Sequence, residues 1–163
     1  MKKYCVILFI LFAQITFAQD SLNTIPPYLK TLSIPNFKII QPNGKSYTQD
    51  SLPVNKPVIF MYFSPDCGHC QYQTKSMIDS IQFLQQATIV LVAYKKLEDI
   101  KEFANQYELN KFNHIVIGRD PKYFIPSFFR VKFTPFIAIY NMQHEFVKAF
   151  DKGASVIDIH NYL

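Results

Sequence analysis

The chain has no tryptophan, only three cysteines, and no apolar run long enough to cross a bilayer comfortably. Without tryptophan, all of the aromatic bulk must come from its 16 phenylalanines and 10 tyrosines. Three cysteines, of which only Cys67 and Cys70 are close in sequence, exclude a four-thiolate zinc site. A strong excess of charge of one sign is also missing. The formal net charge is +5, too mild to argue for nucleic acid as a partner. No internal repeat or low-complexity tract appears. What is present is 49% apolar against 18% charged residues over 163 positions, the composition of one folded domain with a well-filled core.

The first residues, MKKYCVILFILFAQITFAQD, run from two lysines through an apolar stretch from Tyr4 to Ala13 and reach Thr16-Phe17-Ala18 before Gln19. Small residues flank Phe17 where a signal peptidase would inspect the chain, so residues 1–18 read as a signal peptide cut after Ala18. Cleavage would remove Cys5 with Lys2 and Lys3, leaving Cys67 and Cys70 as the cysteines of a mature, soluble protein exported to the periplasm. Residues 19–32 are polar and proline-bearing and read as an extended linker, and residues 33–163 as the domain.

Within the domain, FKIIQPNGKSY places two β-prone runs around Pro42-Asn43-Gly44, an N-terminal β-hairpin signal. KPVIFMYF is a continuous apolar run, as in a strand buried on both faces. From Cys67 the period becomes helical, with Cys70, Thr74, Met77, Ile81 and Leu84 on one inward face. ATIVLVAY, HIVIG and PFIAIY read as further strands, and EFVKAF as their hairpin partner. KLEDIKEFANQYEL reads as an amphipathic helix through Leu97, Ile100, Ala104 and Tyr107. A helix begun at Pro121 would be disturbed by Pro126, and a last helix starts near Ala154. The alternation predicts an α/β three-layer sandwich with a mixed central sheet.

Chemistry concentrates in SPDCGHC. Cys67 ends a loop and opens a helix, where unpaired backbone N–H groups and the helix dipole favour a thiolate. Cys70, one turn on, faces inward and can reach the first sulfur. The pair can therefore close a Cys67-Cys70 disulfide and reopen it, Cys67 attacking and Cys70 resolving. Gly68 is expected to let the backbone approach closely, and His69 to favour the thiolate when protonated. A purely structural staple is the weaker reading, because so short a loop removes little chain entropy. A copper or zinc protein on the same scaffold is the alternative function. His69 lies inside the pair, and His114, His144 and His160 show no ligand spacing. A Cys-x-x-Cys near a βαβ pattern reads first as redox.

KPVIFMYFSPDCGHC, FRVKFTPFIAIY and KAFDKG together resemble the thioredoxin superfamily. With the lead-in IPNFKIIQPNGKSYTQDSLPVNKP they resemble more narrowly its exported TlpA/ResA-like thiol-disulfide oxidoreductases. The resemblance implies a thioredoxin-like fold and an enzyme that needs no cofactor. Its partners would be protein thiols or disulfides and a separate redox protein, and the chain would act as a monomer. It also implies a cis peptide between Thr134 and Pro135, facing the disulfide and holding substrate backbone. The chain departs from the pattern twice. Asp66 stands where tryptophan often precedes the first cysteine, making the lip acidic and opposing the thiolate. Met61 stands where thioredoxins bury an acid, so no carboxylate on that strand can take a proton from Cys70.

Overall fold

The computed structural model describes residues 25–163, so the expected leader and its cleavage point lie outside the described residues. In chain order the elements are α1 (Pro27–Thr31), β1 (Lys38–Ile40), β2 (Ser46–Thr48), β3 (Val58–Tyr62), α2 (Gly68–Asp79) and β4 (Thr88–Ala93). They continue with α3 (Leu97–Gln106), β5 (Ile115–Arg119), α4 (Phe124–Phe129), β6 (Phe136–Tyr140), β7 (Phe146–Phe150) and α5 (Val156–His160). The strands form one open, mixed sheet in the order β2-β1-β5-β4-β3-β6-β7. β3, β4 and β5 run parallel, and β1 and β6 flank them antiparallel.

Strand periodicity splits the core into two layers. Ile59 and Met61 of β3 join Cys70, Met77, Ile100, Phe103 and Ile159 on the face covered by α2, α3 and α5. Val58, Phe60 and Tyr62 face the other way, with Phe37, Ile125, Phe129 and Tyr140 beneath α4 and the N-terminal segment. Every residue of β3, β4 and β6 is buried, which is why these strands read as unbroken apolar runs. Phenylalanine fills the second layer. Phe60 meets Phe37 edge-on at 5.1 Å between ring centroids, and Phe129 lies 5.2 Å from Phe136.

The expected hairpin is present. Gly44 sits at φ +81°, and Gln41 N–H donates to the Lys45 carbonyl at 2.9 Å across the turn. Three local expectations are corrected. Residues 27–31 form a helix rather than an extended linker, because Pro27 at its first turn presets a helical φ. Tyr28 then packs on Phe129 and Phe146 at 5.4 and 4.9 Å. α2 stops at Asp79, where Asp79-Ser80 favours leaving the helix, and Ile81 continues on a 3₁₀ turn while Leu84 stays fully buried. Pro126 does not disturb α4. The helix begins only at Phe124, and in the first turn the missing N–H of proline has no helical partner to lose.

Candidate redox site

β3 delivers the chain to the carboxyl edge of the parallel strands, and Ser64-Pro65-Asp66 turns it into α2. Cys67 N–H donates to the Ser64 carbonyl at 3.1 Å, which fixes Cys67 as the residue that caps the helix. Gln71 braces the turn, its side-chain amide donating to the Pro65 carbonyl at 2.8 Å. Cys67 is half-buried, whereas Cys70 is fully buried in the same core layer as Met61 and Met77.

The β6 lead-in approaches from the opposite side. The Thr134–Pro135 peptide is cis. The Thr134 hydroxyl lies 3.6 Å from the Cys67 sulfur, and the Thr134 carbonyl oxygen lies 3.7 Å from it. Thus the two segments that the sequence singles out, 67 positions apart, meet at one sulfur.

The electrostatics separate the two thiols. For Cys67, partial burial works against the anion. Hydrogen bonds from the Cys70 thiol, the Thr134 hydroxyl and the backbone N–H groups of Cys70 and His69 outweigh it, and the pKa falls below the ordinary thiol value. For Cys70, burial dominates, its hydrogen bond to Cys67 adds to it, and the pKa is pushed up to about 12. The surroundings shift one sulfur toward the anion and the other toward the protonated thiol.

Two expectations about the lip change. Asp66 does not present an unbalanced negative charge to Cys67. Lys95, just beyond β4, pairs with its carboxylate at 2.7 Å, and Ser64 donates to its other oxygen. These bonds hold the Asp66 carboxyl down at about 2. Gly68 brings no backbone of this chain close, because nothing lies within 4 Å of where a Cβ would stand. Its effect is to leave open space at the first turn of α2, next to Cys67 in the chain. His69 contributes its backbone N–H to Cys67, while its ring is exposed and lines a cleft of about 450 Å³. Met61 is fully buried, as expected, and β3 offers no carboxylate to Cys70.

The other wall of that cleft is the loop between β7 and α5, Lys152 to Ser155, which meets the α2 wall of His69, Tyr72 and Ser76 across Pro135 and Gln73. Sequence reasoning missed Gln73 and Lys95, and it quoted Gly153 only within KAFDKG, without a role. Gln73 carried one usable signal, a polar side chain three residues after Cys70 on the inward side of an amphipathic helix. A larger groove, about 600 Å³, lies between β1 and the 120–127 segment. Its buried carboxylate, Asp120, is taken up by the N–H groups of Lys122 and Ile125 at 3.2 and 2.7 Å. Among the described residues no three His, Cys, Asp or Glu side chains come together to hold a metal, so none of these joins the two sulfurs.

No family model and no curated protein matches the chain. Solved structures do. Mycobacterium tuberculosis DsbF, solved in mixed oxidised and reduced forms, superposes with a TM-score of 0.67 at 20% identity, over 85% of this chain and 96% of its own. A secreted disulfide oxidoreductase of the same organism, homologous to Escherichia coli DsbE, gives 0.65 at 18%, over 78% and 93%. A thioredoxin-like protein from Aeropyrum pernix gives 0.64 at 12%, over 78% and 87%. These likenesses, with the strand order and the cis-proline turn facing a Cys-x-x-Cys, establish that the chain has the thioredoxin-like fold.

Proposed function

We propose that this protein is a thiol-disulfide oxidoreductase acting on protein disulfides or dithiols through Cys67-Gly68-His69-Cys70. The observation that carries the reading is the unequal pair: a half-exposed Cys67 whose anion is stabilised by donors, and a fully buried Cys70 one helical turn away. Zinc or copper binding would require further donors, and no His, Asp or Glu side chain joins the two sulfurs among the described residues.

In the reducing direction, the Cys67 thiolate attacks one sulfur of a substrate disulfide. The substrate S–S bond breaks, a mixed disulfide forms at Cys67, and the departing substrate sulfur carries off the electron pair. Cys70 then gives up its proton and attacks Cys67. The mixed disulfide breaks, the second substrate sulfur leaves as a thiolate, and the Cys67-Cys70 disulfide remains. Two electrons have passed from the pair to the substrate, and a separate redox protein returns them. The reverse sequence oxidises a substrate dithiol. Thr134 and Pro135 present the backbone edge against which a bound polypeptide lies, and His69 stands on the rim. The protein needs no cofactor in this scheme and acts as a monomer.

The leader-like residues 1–18 support export to the periplasm, where disulfides persist. No helix among the described residues is long and apolar enough to cross a membrane. The test is catalysis of insulin reduction by dithiothreitol, with the reduction potential of the Cys67-Cys70 couple measured against glutathione. Catalysis lost in Cys67→Ser supports the reading. A wild-type chain without exchange activity refutes it.

A further inference from the structure

We infer that Gln73 is a positioning residue for polypeptide substrates: it holds the loop after β7 against the Pro135 turn and so fixes the width of the cleft beside Cys67. The inference rests on the redox reading above and assigns Gln73 to substrate binding, apart from sulfur chemistry.

Gln73 lies on α2 one turn past Cys70 and is only 6% exposed. Its Oε1 accepts the Ala154 N–H at 3.0 Å, joining the helix to a loop 81 positions away. Its Nε2 finds no acceptor at all. Exchanging the two atoms would set an NH₂ group against the Ala154 N–H, donor against donor, so the orientation is determined. Packing alone does not call for an amide here. Apart from Thr74, the buried side of α2 consists of Cys70 and Met77 in an apolar layer, and a methionine at position 73 would fill the same space with no unmet donor. What glutamine supplies and methionine lacks is the acceptor for Ala154.

Gly153 shows how tightly this contact is drawn. It sits at φ +80°, and a Cβ there would stand 2.5 Å from Gln73 Oε1 and 3.2 Å from Pro135 Cγ. The loop backbone therefore touches the helix amide and the cis-proline ring together. Lys152 extends the contact outward, its ammonium 4.7 Å from the centroid of the half-exposed Phe133 ring. Since Lys152 to Ser155 form one wall of the cleft and His69, Tyr72 and Ser76 the other, the Gln73–Ala154 bond sets the space between them.

The test is Gln73→Met in the full chain, with two substrates: insulin, whose chain must lie along the cleft, and 2-hydroxyethyl disulfide, which is too small to span it. The KM for insulin should rise about three- to tenfold, the range set by one net hydrogen bond, with kcat unchanged. The rate with the small disulfide and the pH profile of Cys67 alkylation should stay as in wild type. Hydrogen exchange at the Ala154 amide should accelerate, and the thermal midpoint should not fall. Gly153→Ala, which drives the loop away from Gln73, should raise the same KM and serves if Gln73→Met fails to fold. An unchanged insulin KM, with or without faster exchange at Ala154, overturns the inference. So does a shifted alkylation profile or a slowed small-disulfide reaction, which would mean that Gln73 acts on the sulfur. Wild-type protein inactive on both substrates overturns the redox reading and this role with it, whereas an active wild type with an indifferent Gln73→Met removes only the role.

Discussion

Cys67 and Cys70 are the same side chain three positions apart, and their environments drive their pKa values in opposite directions. This makes the chemistry pH-dependent in a defined sense. Alkylation of the reduced protein by iodoacetamide should rise with pH through a midpoint below the ordinary thiol range and fall entirely on Cys67, as peptide mapping will show. Thr134→Val removes a donor to the Cys67 sulfur and should move that midpoint upward. For stability the signs oppose. Cys67, lowered in the fold, stabilises the reduced protein above its unfolded pKa, and that contribution fades as pH falls through its folded value. Cys70, raised to about 12, contributes stability below its unfolded pKa that is lost as pH rises from roughly 8.5 toward that folded value. Denaturant titrations of the reduced protein should therefore show weakening that sets in near about pH 9 and is smaller in Cys70→Ser. The buried tyrosines Tyr62 and Tyr140, whose pKa values are also raised, weaken both proteins at higher pH. Met61→Asp places a carboxylate in the core facing Cys70. Stopped-flow kinetics should show faster resolution of the mixed disulfide, and chemical denaturation a loss of about 1–3 kcal/mol. Unchanged resolution would mean that the Cys70 proton leaves by another route.

At the scale of the element, the buried strands and the helix start at Cys67 were legible in the sequence because each follows from a local rule. β3, β4 and β6 are unbroken apolar runs, and α2 begins where a turn of Ser, Pro and Asp ends. What local rules miss are contacts closed by tertiary geometry. Asp66 reads as an acidic lip until β4 brings Lys95 to it. Residues 27–31 read as linker until α4 and β7 supply the aromatic surface on which Tyr28 packs. α4 gives a further case, since its start depends on a buried aspartate four residues before its first residue, Phe124, rather than on an ordinary cap. Both oxygens of Asp120 accept backbone N–H groups, and Tyr123 is held at φ 55° between them and the helix. Asp120→Ala should lower stability by about 1–3 kcal/mol in urea unfolding while leaving the Cys67 alkylation midpoint in place. A shift in that midpoint would tie α4 to the site.

Over the whole molecule, one sheet carries two apolar layers and gathers the Cys-x-x-Cys, the cis-proline turn and the loop after β7 at a single edge. The sequence disclosed the first two as motifs. It marked the third only through KAFDKG, as part of a resemblance, and the contact of Gly153 and Ala154 with Gln73 emerges only once 81 positions of chain are folded back. If export follows the reading of residues 1–18, N-terminal sequencing of protein from the native compartment should begin at Gln19, and a start at Met1 in a membrane fraction would favour an uncleaved anchor. The division of labour between the sulfurs is the central claim, and covalent trapping tests it most directly. Cys70→Ser, expressed in that compartment and resolved on non-reducing gels, should accumulate mixed disulfides that reductant dissolves and whose partners mass spectrometry can name, while Cys67→Ser should form none. Adducts on Cys67→Ser with none on Cys70→Ser would reverse nucleophile and resolver, and adducts on neither would contradict the redox account.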